Sequence, residues 1–371
     1  MSDVIEEFRR FLAEALPADY DVRSDDYRDD VALRTAFQAA QFDEGWLVPE
    51  WPRELGGREL DPGDALAVRI EGARRRIPRQ MNIQATGVVA PGLRRWGTPE
   101  QQAKYLRPTL RGEAWWALGM SEPGAGSDLA SLRTRAVRTD AGFVVNGQKI
   151  WTTQADGARW CTLYVRTDPS KPKHRGISCL IVDLDSPGID IRVIRTAGPS
   201  VEAFCEVFFD DVLVPAENLL GELDGGWLVA VSGLENERDM IWINNWLEMR
   251  RSIDPVAEAA RAHGGLAPHE LERLGRLVAD MEAIRLTGLR SVAERAAGAE
   301  NAVAGILKLF GSEAVQAATR FAFDVGLAEG LDRGHLFDEY LESLAATIYG
   351  GTSEVQRNII AERILGLPKG N

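Results

Sequence analysis

Three short strings carry residue types suited to gripping a flat, polar ligand. The first is Met120-Ser121-Glu122-Pro123-Gly124-Ala125-Gly126-Ser127-Asp128. A Pro and two Gly at this spacing make a tight loop whose backbone N–H groups can turn toward a ligand, and Ser121 and Ser127 add hydroxyl donors. An ordinary Gly-rich turn entering a β-domain reads the same way. The second is Asn146-Gly147-Gln148-Lys149-Ile150-Trp151-Thr152-Thr153. Asn-Gly is a strong hairpin signal, and on the strand that follows Trp151 and Thr153 share a face. An aromatic plate beside a hydroxyl could flank a flat heteroaromatic ring, or could be one Trp of a β core. The third is Ile348-Tyr349-Gly350-Gly351-Thr352-Ser353-Glu354-Val355-Gln356-Arg357. Gly-Gly lets backbone approach a ligand, and Thr352 or Ser353 can cap a helix over Glu354–Ile364, with Gln356 placed for a capping box. Free N–H groups at a helix start suit an anion or a developing oxyanion, although a capped helix needs no ligand.

The elements that must position these strings fall into three textures. Residues 1–115 read as helices: FRRFLAEAL and ALRTAFQAAQF carry apolar residues at three-to-four spacing, and Thr98-Pro99-Glu100-Gln101 is a helix start. Residues 116–222 read as β: CTLYVRT, GISCLIVDLD, IDIRVIRT and CEVFFDDVLV are short strands separated by Pro/Gly/Asp/Ser segments, which suggests an antiparallel sheet or barrel. Residues 223–371 return to helix, with long Ala/Leu/Arg/Glu-rich runs over Leu271–Ala297 and Ala302–Phe323, broken before them by Gly264-Gly265 and Pro268.

Composition narrows the chemistry. The 371 residues carry 43 Lys plus Arg against 56 Asp plus Glu, a formal charge of −13, which argues against a nucleic-acid binder. No run approaches the about 18 apolar residues of a membrane span, and the acidic, amphipathic start lacks a secretory layout. A cytoplasmic location is expected. Cys161, Cys179 and Cys205 form no CxxC pair, and His174, His263, His269 and His335 have no metal-ligand spacing, so neither a disulfide framework nor a metal site is expected.

In combination and in this order, the three strings resemble the acyl-CoA dehydrogenase family, from Trp51-Pro52-Arg53-Glu54-Leu55-Gly56-Gly57 through to YGGTSEVQRNIIAERILG. The resemblance implies an α+β fold with an N-terminal helical domain, a middle β-barrel domain and a C-terminal four-helix bundle. It implies FAD between the β-domain and the C-terminal helices, partly across a subunit interface. It also implies oxidation of an acyl-CoA thioester to the trans-2-enoyl-CoA, with the pro-R α-hydrogen leaving as a proton and the β-hydrogen as hydride to flavin N5. An electron-transferring flavoprotein is the implied acceptor. Carried over residue by residue, Ser121 matches a Thr or Ser at the flavin ring edge. Trp151 and Thr153 match residues on the flavin face away from substrate. Ser127 matches a Ser lining the ligand cleft, and Thr352 the Thr that touches the cofactor. Met120, Gly126 and Glu354, in the same strings, count with the cofactor-binding residues.

Many members carry the catalytic Glu directly before Gly-Thr; here that position is Gly350. A second branch places it on an earlier helix in a Gly-Leu-x-x-Glu-Arg context, which this chain matches as Gly233-Leu234-Glu235-Asn236-Glu237-Arg238. The resemblance therefore assigns the base to Glu237, with Arg238 beside it or near the pantetheine. On the residues alone Glu237 reads as a surface carboxylate, and Glu235, two residues away, faces elsewhere on a helix. The Gly350 backbone N–H and a flavin ribityl hydroxyl would hold the thioester carbonyl.

Two family features are altered. An Arg-x-x-Phe that contacts FAD from a neighbouring subunit reads Ala260-Arg261-Ala262-His263-Gly264-Gly265-Leu266 here, and a Gln-x-x-Gly-Gly-x-Gly segment reads Asp324-Val325-Gly326-Leu327-Ala328-Glu329-Gly330. An Asp beside a pyrophosphate would repel it. Such departures resemble an actinobacterial subset of heteromers, several acting on CoA esters of steroid side chains. A homo-oligomer and a heterotetramer with a related subunit both remain open. The rival functions are a half-site or non-catalytic subunit, and a flavin oxidase or monooxygenase on the same fold.

Overall fold

The computed structural model describes residues 2–18, 20, 30–198, 203–298, 303–326 and 332–368; the side chains of 2, 234–240, 295, 296, 304 and 333 stand outside that description. The chain divides into two compact units. One comprises Met1–Val68, Arg75–Thr196 and Ser200–Glu237; the other Arg69–Arg74, Ala197–Pro199 and Arg238–Asn371.

The first unit opens with helices α1 (Ser2–Ala15), α2 (Val31–Asp43) and α3 (Pro62–Arg74). Phe8, Phe11 and Leu12 of α1 bury against Phe37, Trp46 and Val68. A π-helical turn over Ala85–Val89 runs into α4 (Ala90–Trp96), and α5 (Pro99–Leu110) follows. At the start of α5 the Thr98 hydroxyl accepts from the Gln101 N–H while the Gln101 side chain accepts from the Thr98 N–H, as the Thr-Pro-Glu-Gln string predicts.

The sheet has eight strands: β1 (Trp116–Gly119), β2 (Arg135–Thr139), β3 (Gly142–Thr153), β4 (Trp160–Arg166), β5 (Ile177–Asp183), β6 (Ile189–Ile194), β7 (Phe204–Val214) and β8 (Leu219–Leu220). Their order is β6-β7-β3-β2-β4-β5-β8, with β1 parallel to β4. The side-chain period of two sorts each strand between two cores. Ala117, Cys161, Leu163, Val165, Leu180, Val182, Val207 and Phe209 meet in one cluster that draws on β1 to β7 and on no helix, so the sheet curls over its own interior. Trp116, Tyr164, Ile177, Cys179 and Ile181 point the other way, into a cluster with Leu93, Leu106 and Leu110 of α4 and α5. Covered on both faces, β4 and β5 are buried along nearly their whole length, which explains their unalternating sequences. The Cys161, Cys179 and Cys205 thiols are buried, and burial pushes Cys161 up to about 12.

The hairpin expected at Asn146-Gly147 is corrected by the structure. The turn between β2 and β3 lies at Asp140-Ala141, and β3 runs straight through Asn146 and Gly147 with a bulge there against β7. Gly147 has φ +149°, and a Cβ on it would lie 2.6 Å from the Thr134 hydroxyl, so here Gly serves a close strand crossing and not a turn.

The second unit is helical. Its elements are α6 (Gly226–Ala262), which begins in the first unit, then α7 (Pro268–Ala296), α8 (Ala304–Gly326), α9 (Arg333–Ala345) and the short α10 (Ser353–Ile359), ending in a π-helical turn over Ile360–Ile364. Gly264 and Gly265, at φ +103° and +98°, make the turn between α6 and α7. Gly288 on α7 meets the Trp242 indole where a Cβ would have no room, and Gly311 on α8 likewise meets Asn245. Small residues at these points let α6 lie close on both neighbours.

Candidate functional site

In the first unit the structure sets two of the three strings side by side. The Ser121 carbonyl accepts from the Ile150 N–H at 2.9 Å, and the Met120 carbonyl accepts from Lys149 Nζ at 2.9 Å. Glu122 and Ala125 exchange backbone hydrogen bonds across Pro123-Gly124, which closes a tight turn. Beyond it Gly126, Ser127 and Asp128 are exposed, while Met120 and Ser121 are half-buried.

This loop hangs from a buried ion pair that sequence reading missed. Lys149 Nζ lies 2.9 Å from Glu122 Oε1; the same carboxylate accepts the Thr134 N–H at 2.8 Å and the Arg133 N–H at 2.7 Å. Both side chains are buried. Desolvation pushes Lys149 down to about 8 against the upward pull of Glu122. Glu122 is held below the usual carboxylate range: burial opposes the shift, and the Lys149 charge with the hydrogen bonds from 133 and 134 outweighs it. The signal was present, since a Lys stands at an inward position of a strand and a Glu before Pro-Gly, but it can be read only once the register is known.

Trp151 is the exceptional residue of β3. Its φ is +59°, a left-handed conformation costly for a bulky side chain, and it sits in a second bulge between Lys149 and Thr152. Its ring is 57% exposed, meeting Phe204 edge-on at 6.3 Å. The bulge breaks the period-two expectation: Trp151 stands outward while Thr153 is buried, so the two do not share one face as neighbours on a regular strand would. Thr152 Oγ1 is buried and finds no partner among the described residues. A strained backbone that presents a large aromatic ring to solvent, beside a loop with exposed N–H and hydroxyl donors, fits a flat heteroaromatic ligand such as the flavin of FAD.

The third string lies in the second unit. Thr352 is the N-cap of α10, its hydroxyl accepting from the Val355 N–H at 3.2 Å. The capping box expected through Gln356 does not form. Gln356 lies one position too far along, and its Nε2 instead donates to the Gly350 carbonyl at 3.1 Å. Glu354 is exposed, and its own backbone N–H and the Thr352 hydroxyl hold its carboxyl low. Gly350 and Gly351 have φ +63° and +98°. The Gly350 N–H donates to no atom of the described residues. Lys308 on α8, fully buried, donates from Nζ to the Ala346 carbonyl at 3.0 Å and the Gly351 carbonyl at 2.7 Å.

The backbone at Glu237 and Arg238 is helical, within α6; their side chains lie outside the described residues. Of the altered segment, Leu327–Gly330 also lies outside them. Asp324 is described, and it is no bare charge: it pairs with Arg273 at 3.1 Å and Arg320 at 2.9 Å. The expected repulsion of a pyrophosphate is therefore blunted at this residue.

Comparison with known proteins settles the family. The profile of the acyl-CoA dehydrogenase N-terminal domain matches residues 2–113, that of the middle domain 117–212 and that of the C-terminal domain 224–365. The chain belongs to the acyl-CoA dehydrogenase family. It is 39% identical to acyl-CoA dehydrogenase FadE34 of Mycobacterium tuberculosis over 90% of its own length, and spans 46% of that protein. It is 37% identical to acyl-CoA dehydrogenase IpdE1 of Mycolicibacterium smegmatis, covering 86% of this chain and 84% of that one. Among solved structures, a chain of the ChsE4–ChsE5 complex of Mycobacterium tuberculosis superposes with a TM-score of 0.84 at 31% identity, over 100% of this chain and 98% of that one. Membership makes the chain an oxidoreductase of a flavoprotein family that uses FAD, and the three-part helical–sheet–helical order is the family's. Among the described residues no helix is long and apolar enough to cross a membrane.

Proposed function

We propose that this acyl-CoA dehydrogenase converts an acyl-CoA thioester to its trans-2-enoyl-CoA, with Glu237 as the α-proton base and the segments 1–115, 116–222 and 223–371 as its three domains. The observation that carries the reading is Trp151, strained and exposed at a bulge that abuts the Met120–Asp128 loop. Trp151 and Thr153 with Ser121 would hold the flavin ring, Met120, Gly126 and Ser127 would line the loop side, and Thr352 and Glu354 would meet the cofactor from the start of α10. FAD held by these residues would supply the hydride acceptor for the β-hydrogen.

The chain's own residues do the rest. Glu237 takes the α-proton, which requires a carboxylate whose basicity matches a thioester made more acidic by binding. The Gly350 N–H, which has no acceptor within the described residues, donates to the thioester carbonyl and stabilises charge developing there. Arg238 adds positive charge next to the base or the pantetheine. A helix residue four positions from Gly233 can lie over the same face as that Gly, which is the spacing the Gly-Leu-x-x-Glu-Arg context needs.

The test has two steps. Purified chain is read by absorption for FAD per subunit, and Glu237→Gln is assayed with an artificial acceptor on straight-chain, branched and ring-bearing acyl-CoAs. About one flavin per chain, and a loss of 10²-fold or more in kcat with FAD retained, are expected. Full activity in Glu237→Gln would overturn the assignment of the base.

A second reading is a heteromer in which a related subunit completes the FAD site. It is favoured by the altered Ala260–Leu266 and Asp324–Gly330 segments and by the ChsE4–ChsE5 complex among its structural relatives. Flavin that binds only when a related chain is added would support it. Electron-transferring flavoprotein is the proposed acceptor in either case.

A further inference from the structure

The third string is held from beneath by a side chain that no motif names. Helix α8 aims Lys308 and Gln316, eight residues apart and so on one face, at the segment between α9 and α10. Gln316 Nε2 donates to the carbonyls of Ser343 at 3.1 Å and Leu344 at 3.2 Å and to the Thr347 hydroxyl at 2.9 Å. Lys308 Nζ takes the Ala346 and Gly351 carbonyls, and Gln356 takes the Gly350 carbonyl between them. A Cβ on Gly350 would stand 3.8 Å from Lys308 Cε, so the lysine stem runs directly under that residue.

Three carbonyls of one short loop are therefore turned inward by two fully buried side chains. Carbonyls fixed inward leave the Gly350 and Gly351 backbone little freedom, even though Gly is the residue with most freedom to lose. Among the described residues the Gly350 N–H, like those of Gly351 and Thr352, donates to no atom, and Gly350 is the residue under which the lysine stem runs. An ammonium is costly to bury, so its place under a Gly-Gly loop needs a return.

We infer that Lys308 is a positioning residue: with Gln356 it locks the Gly350-Gly351 backbone so that the Gly350 N–H is aimed at the carbonyl oxygen of the thioester. The inference rests on the proposed function, in which that N–H is the oxyanion donor. Lys308 touches neither substrate nor reacting atoms in this account; it acts through the loop it grips.

The probe is 3-oxo-octanoyl-CoA, whose acidic α-carbon reports carbonyl stabilisation as an enolate absorption band. It is titrated with pH on the FAD-loaded full-length wild type, Lys308→Met and Lys308→Arg. Hydrogen exchange over 346–356 is measured on the same samples. The expected result is that wild type lowers the pH at which the bound enolate forms, Lys308→Met loses most of that shift, and Lys308→Arg keeps part of it. Exchange over 346–356 should quicken in Lys308→Met at least about tenfold while the sheet is unchanged. Turnover should fall about tenfold or more with KM little altered, as for a weakened oxyanion donor. If Lys308→Met does not fold, Gln356→Leu, which frees the Gly350 carbonyl alone, must show the same loss of shift. Equal enolate formation in wild type and both variants overturns the inference and leaves the proposed function standing. A wild type that binds FAD but shifts no enolate overturns the Gly350 role, and the inference with it.

Discussion

Two Gly-rich loops, one in each compact unit, hang from buried lysines, and they are hung differently. In the sheet unit Lys149 grips its loop at the Met120 carbonyl and, in an ion pair, at a side chain of the loop, Glu122, which in turn holds the N–H groups of 133 and 134. In the helical unit Lys308 grips two main-chain carbonyls of its loop and no carboxylate of it. The first arrangement depends on charge matching and has two mutable partners. The second depends on where a cation is placed, and only one side of it can be changed by substitution. A loop that must stay rigid around a ligand ring suits the first; a loop that must aim one N–H suits the second.

The largest expected effect breaks the first arrangement. Lys149→Met strands the Glu122 carboxylate in the interior and should cost about 3–5 kcal/mol, read by denaturant unfolding. The double variant Lys149→Met/Glu122→Gln should cost less than the sum of the two singles, because no charge is left unpaired. Additive losses would mean the pair is not coupled.

Lys308→Met should cost less, about 2–3 kcal/mol, since it leaves carbonyls and not a carboxylate without their donor. A cost equal to that of Lys149→Met would erase the distinction between the two clamps.

Acid sharpens the contrast. The Glu122 pKa is lowered on folding, so its contribution is present above the ordinary carboxylate value of 4.5 and is lost as pH falls through the folded value. Wild type should lose stability over that range more steeply than Glu122→Gln, whereas Lys308→Met should keep the wild-type slope.

Trp151→Gly should go the other way. It relieves a left-handed backbone and should raise stability by about 1 kcal/mol while weakening FAD binding, seen as melting temperature against flavin retained. The smallest effect is Thr352→Ala, at about 1 kcal/mol or below, from loss of the α10 cap. It leaves the Lys308 and Gln356 bonds in place.

The strings that carry the site were legible because tight loops, caps and glycines announce themselves locally. The strands β4 to β7 and the start of α5 could be read for the same reason. What could not be read depended on register. Asn146-Gly147 has the chemistry of a turn, but pairing with β7 drew β3 straight through it. Trp151 and Thr153 have strand spacing, but a bulge turned one outward. Lys149 and Lys308 look like solvated charges among apolar neighbours; only tertiary placement shows that each is buried against one loop. The alternation of β4 and β5 was hidden because helices cover one face and the curled sheet the other. Glu237 rests on a motif alone, because its side chain lies outside the described residues.

The three buried thiols, two inside the curled sheet and one between the sheet and α4 and α5, have a practical consequence. Cys161, Cys179 and Cys205 sit on β4, β5 and β7, and burial raises all three toward their unreactive protonated form. An alkylating reagent can reach Cys161 and Cys205 only when the curled sheet opens, and Cys179 only when the face it shares with α4 and α5 is uncovered. Their labelling rate, resolved by residue, is therefore a built-in clock for how often each face of the sheet is uncovered, and it can be read without altering one residue of the chain.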